Sequence, residues 1–148
     1  MEVDKTIEIL LVEDSDQDAE LALRALRKNK ISNKVTRLKD GEEALDFLFG
    51  EGDFEGRSIY NQPRVILLDL KMPKVDGLEV LKRIRGNEAT QTLPVVMLTS
   101  SKEERDLVNS YKLGVNSFIV KPVEIDSFTK AVRDIGFYWV ILNEMLEH

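Results

Sequence analysis

Val65-Ile66-Leu67-Leu68-Asp69-Leu70-Lys71-Met72-Pro73 is the stretch whose reading decides the fold. Four apolar residues run together without polar alternation, the pattern of a strand buried on both faces of a sheet. An acid directly behind such a run is costly unless it has a task. Outward from it, short apolar runs alternate with helical stretches. Residues 7–12, 34–38, 95–99 and 115–120 read as further strands beside 65–70. Residues 15–29, 40–49, 76–85, 101–112 and 124–145 read as helices. Ser15/Asp18, Asp40/Glu43 and Ser101/Glu104 are spaced as capping pairs at three helix starts. Gly77, Val80, Leu81 and Ile84 mark the sheet-facing side of the third helix. Residues 50–63, with glycines, charges, Phe54 and Tyr60, read as a long loop.

Five strand-then-helix units predict an α/β fold, a doubly wound five-stranded parallel sheet with helices on both faces and an extended C-terminal helix. All 148 residues are read as one domain. Hydrophobic residues at 43% and charged residues at 32% suit a packed core. A net charge of −6 argues against non-specific nucleic-acid binding. The absence of cysteine excludes disulfides, thiolate metal sites and cysteine catalysis, and the single histidine, His148, is given no role. No run approaches the roughly 20 apolar residues of a membrane span. The start, Met-Glu-Val-Asp-Lys, is too polar for a signal peptide. A cytoplasmic protein is the expectation.

In a doubly wound sheet the functional crevice lies at the carboxyl ends of the strands. Those ends carry Glu13-Asp14, Asp69, Thr99-Ser100 and Lys121-Pro122. Clustered carboxylates repel one another unless a cation neutralises them, and an all-oxygen set points to a hard ion, Mg²⁺. A metal, an ammonium and a hydroxyl around one carboxylate suit a phosphoryl group, with that carboxylate as nucleophile. Taken singly, Glu13-Asp14 could cap a helix and Lys121-Pro122 could be a turn. Lys74, Lys82, Arg83 and Arg85 read as a solvated helix face.

With these residues in view, the chain resembles the receiver domain of two-component response regulators. The resemblance rests on Leu11-Val12-Glu13-Asp14, on Leu67-Leu68-Asp69-Leu70-Lys71-Met72-Pro73 with Asp76-Gly77, on Leu98-Thr99-Ser100 and on Phe118-Ile119-Val120-Lys121-Pro122. It implies the strand order 2-1-3-4-5. It implies that Asp69 is the phosphoacceptor, that Asp14 ligates Mg²⁺ directly and Glu13 through water, and that Asp69 and the Lys71 backbone carbonyl complete the protein ligands. Lys121 and Thr99, with Ser100 beside it, would face the phosphoryl oxygens. Thr99 and Phe118 would be the switch pair, and the Lys121–Pro122 bond is expected to be cis. Phe118 lacks the hydroxyl of a tyrosine, and Lys71 puts an extra positive charge at the site mouth. The implied partners are a histidine kinase or phosphotransfer protein and a downstream protein the sequence does not name. The 50–63 insertion and the aromatic last helix are similar to single-domain response regulators of bacterial phytochromes.

Two enzyme or cofactor readings compete. A phosphatase of the haloacid dehalogenase type needs a second acid two residues after its nucleophile, where this chain has Lys71. A flavin-mononucleotide binder needs a glycine- and hydroxyl-rich loop after the first strand, which is missing. A receiver-like scaffold that is never phosphorylated would not need Asp69, Thr99 and Lys121 together. In the last helix, Ile125, Phe128, Val132, Ile135, Trp139, Leu142 and Leu146 form one stripe, and Tyr138, Ile141 and Met145 a second beside it. Two apolar flanks predict an interface. The expectation is a homodimer through Tyr138, Trp139, Ile141 and Met145 together with the fourth helix, fifth strand and fifth helix.

Overall fold

A computed structural model describes residues 9–28, 35–59 and 61–134, the side chains of 132–134 excepted. In chain order the elements are β1 (Ile9–Val12), α1 (Asp16–Lys28), β2 (Val35–Leu38), α2 (Gly41–Phe49), β3 (Val65–Asp69), α3 (Gly77–Arg85), β4 (Val95–Thr99), α4 (Lys102–Ser110), β5 (Ser117–Val120) and α5 (Ile125–Asp134). The five strands are parallel in the order β2-β1-β3-β4-β5, as expected. Tyr60 and the residues after 134, among them Tyr138, Trp139, Ile141 and Met145, lie outside the described residues.

Side-chain alternation along the strands splits the core into two layers. Ile9, Leu11, Val65, Leu67, Val96, Leu98 and Ile119 meet α1 and α5 through Ala22, Leu26 and Phe128. Leu10, Val12, Ile66, Leu68, Val95 and Met97 meet α2, α3 and α4 through Leu48, Leu81, Ile84 and Val108. The capping residues act as their spacing predicts. Ser15 Oγ accepts from Asp18 N at 3.1 Å, Asp40 Oδ1 from Glu43 N at 2.8 Å and Ser101 Oγ from Glu104 N at 3.2 Å. Asp76 adds a fourth cap, accepting from Glu79 N at 2.9 Å. Each cap satisfies an orphan backbone donor and fixes where its helix leaves the sheet.

Three features refine or correct the sequence reading. The 50–63 segment is a long loop, as expected, but a packed one. It opens with a 3₁₀ turn, Gly52–Phe54, and folds back on α2. Phe54 stands edge-on to Phe47 at 5.2 Å, the Arg57 guanidinium lies 3.8 Å over the Phe47 ring, and Gln62 Nε2 donates to Leu48 O at 2.8 Å. Phe54 therefore packs on its own domain. β5 begins at Ser117, not Val115, because the Asn116 side chain takes the Val95 N–H at 2.8 Å before the ladder starts. Arg85 is not part of a solvated face. Its guanidinium donates to the carbonyls of Leu113 (2.7 Å), Leu93 (2.7 Å), Gly114 (2.9 Å) and Gln91 (3.1 Å).

Gly77 belongs to the site as much as to the helix. A Cβ there would fall 2.2 Å from the Asp69 carbonyl oxygen and 2.8 Å from Leu70 Cα. Only glycine lets α3 start this close to the end of β3, and Gly77 N donates to Leu70 O at 2.7 Å across the contact.

Arg85 ties the end of α3 to the loops that enter β4 and β5. Arg85→Ala strands several carbonyls at once and should lower unfolding free energy by about 2–4 kcal/mol in urea titrations. Arg85→Lys should recover less than half of that, because an ammonium lacks the planar fork. A loss below about 1 kcal/mol would mean that water satisfies the carbonyls equally well.

Candidate functional site

The order β2-β1-β3 puts the chain reversal of the sheet between β1 and β3, and the carboxyl ends of those strands open one crevice. Glu13 and Asp14 follow β1, and Asp69 ends β3. One carboxylate oxygen from each lies within 4.8 Å of the others. Glu13 and Asp69 are each only 1% exposed, while Asp14 is exposed at the mouth. The backbone holds Glu13 on both sides. Its N–H donates to Leu38 O at 3.1 Å, and its carbonyl accepts from Arg37 Nη2 at 2.8 Å and Nε at 3.0 Å.

Lys121 arrives from the end of β5, its N–H bonded to Thr99 O at 2.8 Å and its bond to Pro122 cis. Its ammonium lies 3.1 Å from Asp69 Oδ1, 3.2 Å from Glu13 Oε1 and 3.3 Å from Asp18 Oδ2. Burial alone would pull the Lys121 pKa down. The charges and hydrogen bonds of Asp69 and Glu13 outweigh it and hold the ammonium above the ordinary lysine value. The reverse balance holds at Asp69. Burial, and then the adjacent Glu13, push its carboxyl up to about 8 against the opposing pull of Lys121.

Among the described residues, three buried side-chain oxygens have no hydrogen-bond partner: Gln62 Oε1 in the 50–63 segment, and Asp69 Oδ2 and Thr99 Oγ1 in this crevice. Such atoms cost roughly 1–3 kcal/mol each and call for an explanation. Thr99 is 1% exposed and sits one residue beyond Leu98, the β4 partner of Asp69, on the sheet face that also carries Phe118. A crevice with three carboxylates, one ammonium and two unpartnered oxygens fits a divalent cation beside an oxyanion.

Residues 9–133 match the response regulator receiver domain. The chain belongs to that family. It is a response regulator of two-component signalling, a class of signalling proteins phosphorylated on aspartate. Three similar proteins sharpen the comparison. A solved bacteriophytochrome response regulator, RtBRR, is 54% identical over 90% of this chain and 80% of its own, with a TM-score of 0.86. Response regulator Rcp1 of Synechocystis is 39% identical over 89% of this chain and 88% of its own. Its Mn²⁺-bound crystal form covers 90% of this chain and 94% of its own, with a TM-score of 0.72. A probable methanogenesis regulatory protein of Methanothrix harundinacea, FilR2, is 40% identical over 97% of this chain and 90% of its own.

The receiver site also holds residues that the sequence did not single out. In the sequence Asp18 reads only as a capping partner, yet one turn into α1 it reaches the Lys121 ammonium. Arg37 crosses from β2 to the β1–α1 turn and also binds Asp16 Oδ1 at 2.9 Å, which lowers the Asp16 pKa. The extra charge of Lys71 is paired. Its ammonium lies 3.0 Å from Glu104 Oε2, and Glu104 Oε1 accepts from Ser100 N at 2.8 Å. That backbone bond, then Lys71, holds the Glu104 carboxyl below its ordinary value. Ser100 is exposed and its N–H is committed to Glu104. Phe118 is half-buried against the α2–α4 layer, and its partner on β4 is Met97.

The raised Asp69 pKa has a sign that can be checked. A folded value of about 8 against 3.8 means that the stability from this group is complete below 3.8 and is lost as pH rises towards about 8. Asp69→Asn escapes that loss. Without divalent cations it should match wild type near pH ~4 and exceed it by several kcal/mol above pH ~8. Urea melts at the two ends of that window would read the difference. A gap independent of pH would show that Asp69 is ionised throughout.

Proposed function

We propose that Asp69 is the phosphoacceptor and that Glu13, Asp14, Asp69 and the Lys71 backbone carbonyl hold a divalent cation, Mg²⁺ in the cell. The observation that carries this reading is the pair of unpartnered buried oxygens, Asp69 Oδ2 and Thr99 Oγ1, beside the Lys121 ammonium. The Mn²⁺-bound form of Rcp1 supports a divalent ion in the acidic cluster. Bound Mg²⁺ neutralises the carboxylates and screens charge on the incoming phosphoryl oxygens.

The remaining chemistry belongs to the chain. An Asp69 carboxylate oxygen forms a bond to phosphorus while the P–N bond of a donor phosphohistidine breaks and its electron pair stays on the imidazole nitrogen. The Lys121 ammonium moves from its carboxylate partners to a phosphoryl oxygen. The Thr99 hydroxyl donates to another, with Ser100 flanking it. Thr99 leaves its place on the α4 side of the sheet, and Phe118, on the same face, fills the space. This receiver catalyses only its own phosphorylation and dephosphorylation. Output passes to a partner through the surface of α4, β5 and α5.

The names of RtBRR and of RcpA, a solved cyanobacterial phytochrome response regulator 35% identical to this chain, support a phytochrome-type histidine kinase, or a phosphotransfer protein, as donor. No helix among the described residues is long and apolar enough to cross a membrane, and a cytoplasmic site of action follows from the kinase partner. A homodimer through Tyr138, Trp139, Ile141 and Met145 is supported by the two apolar stripes of the sequence.

Acetyl phosphate with Mg²⁺ should add one phosphoryl group per chain, on the peptide that contains Asp69. Asp69→Asn should take up none, and Thr99→Ala should be labelled but lose most of the NMR shift change near Phe118. Label retained by Asp69→Asn would refute the acceptor assignment, and an unchanged response in Thr99→Ala would refute the switch. Analytical ultracentrifugation should show a dimer that Trp139→Ala with Ile141→Asp converts to monomer. A wild type that stays monomeric when phosphorylated would refute the dimer.

A further inference from the structure

The β1–α1 turn must aim two acids differently, Glu13 inward and Asp14 toward the mouth. Asp14 is exposed, so packing cannot fix its direction. Its backbone can. The peptide plane before Asp14 contains the Glu13 carbonyl, and that oxygen accepts both Arg37 Nη2 at 2.8 Å and Arg37 Nε at 3.0 Å. The plane after Asp14 contains the Ser15 N–H, which donates to Glu13 Oε2 at 3.2 Å. Both peptide planes that flank the Asp14 Cα are pinned. The Arg37 fork supplies the upstream pin from β2, 24 residues away in sequence.

Arg37 also meets Asp16 Oδ1 at 2.9 Å, but the Asp16 side chain is 82% exposed. An ion pair that open is worth little. The carbonyl is the better-defined partner, since two donors of one rigid guanidinium converge on a single oxygen.

We infer that Arg37 is a positioning residue of the cation site, which by gripping the Glu13 carbonyl sets the direction of the Asp14 carboxylate and tightens divalent-cation binding. This inference rests on the metal site proposed above and extends it to a residue that supplies no ligand. Groups of this kind behind metal ligands commonly govern affinity about tenfold or more.

Electrostatics and positioning predict opposite signs here. Removing Arg37 takes a positive charge from beside the acidic cluster and leaves Asp16 unpaired. Charge alone would then make a cation bind more tightly. Loss of the pin would make it bind more weakly. Isothermal titration of Mg²⁺ into the unphosphorylated full chain at fixed ionic strength separates the two. Arg37→Ala should bind about tenfold more weakly than wild type. Arg37→Lys keeps the charge but not the fork, and should fall about threefold below wild type. Equal or tighter binding by Arg37→Ala overturns the inference. If Arg37→Ala does not fold, wild-type affinity in Arg37→Lys overturns it instead. Asp14→Asn tests the metal site separately from Arg37, because wild-type affinity in that variant, or no Mg²⁺ binding by wild type, overturns the metal site itself and not the role of Arg37.

Discussion

The arrangement depends on one ammonium held among three carboxylates. Lys121 lies within 3.3 Å of Asp69, Glu13 and Asp18, and only 17% of its side chain is exposed. Without that charge, two acids buried at 1% exposure would stand beside each other in a low dielectric, and at least one would have to stay protonated. Even with it, burial keeps Asp69 up to about 8. The pocket is thus undercharged on its positive side, a standing demand for a second cation.

The fold supplies this arrangement through its topology. The chain reverses its direction of growth between β1 and β3, so Glu13-Asp14 and Asp69 share one crevice. β5, at the sheet edge, delivers Lys121, and β4 delivers Thr99. The supporting shell is as specific as the ligands. Gly77 lets α3 close against the Asp69 backbone, Arg37 fixes the Glu13 carbonyl, and Glu104 joins Lys71 to Ser100 across the two loops that flank Asp69. Each acts on backbone geometry within one residue or two of a functional side chain.

Sequence reading recovered the features encoded locally. Continuous apolar runs marked β1, β3 and β4 because a strand buried on both faces has no polar option. Short-range caps at Ser15, Asp40 and Ser101 were legible because donor and acceptor lie three residues apart. The acids, Thr99 and Lys121 were legible because each ends a strand. Long-range pairings were not. Asp18 looks like a capping acid until the structure brings Lys121 to it from 103 residues away, and Arg85 looks solvated until Leu113 O meets it from 28. Arg37 is one polar residue in a short edge strand. Nothing local reveals that its fork closes on Glu13. The 50–63 segment reads correctly as a loop, but how it packs is not legible for the same reason, since that is set by Phe47, outside the segment.

The central claim is that Asp69 Oδ2 and Thr99 Oγ1 lack partners because a phosphoryl group and a cation are meant to supply them. A crystal structure with Mg²⁺ and beryllofluoride tests this most directly. The account predicts beryllium on an Asp69 oxygen, Mg²⁺ on Asp14 and the Lys71 carbonyl, Thr99 Oγ1 within hydrogen-bond distance of one fluorine, and Lys121 Nζ moved off Asp18 to another. A beryllofluoride adduct on any other side chain, or a Thr99 hydroxyl still without a partner when Asp69 is occupied, would contradict it.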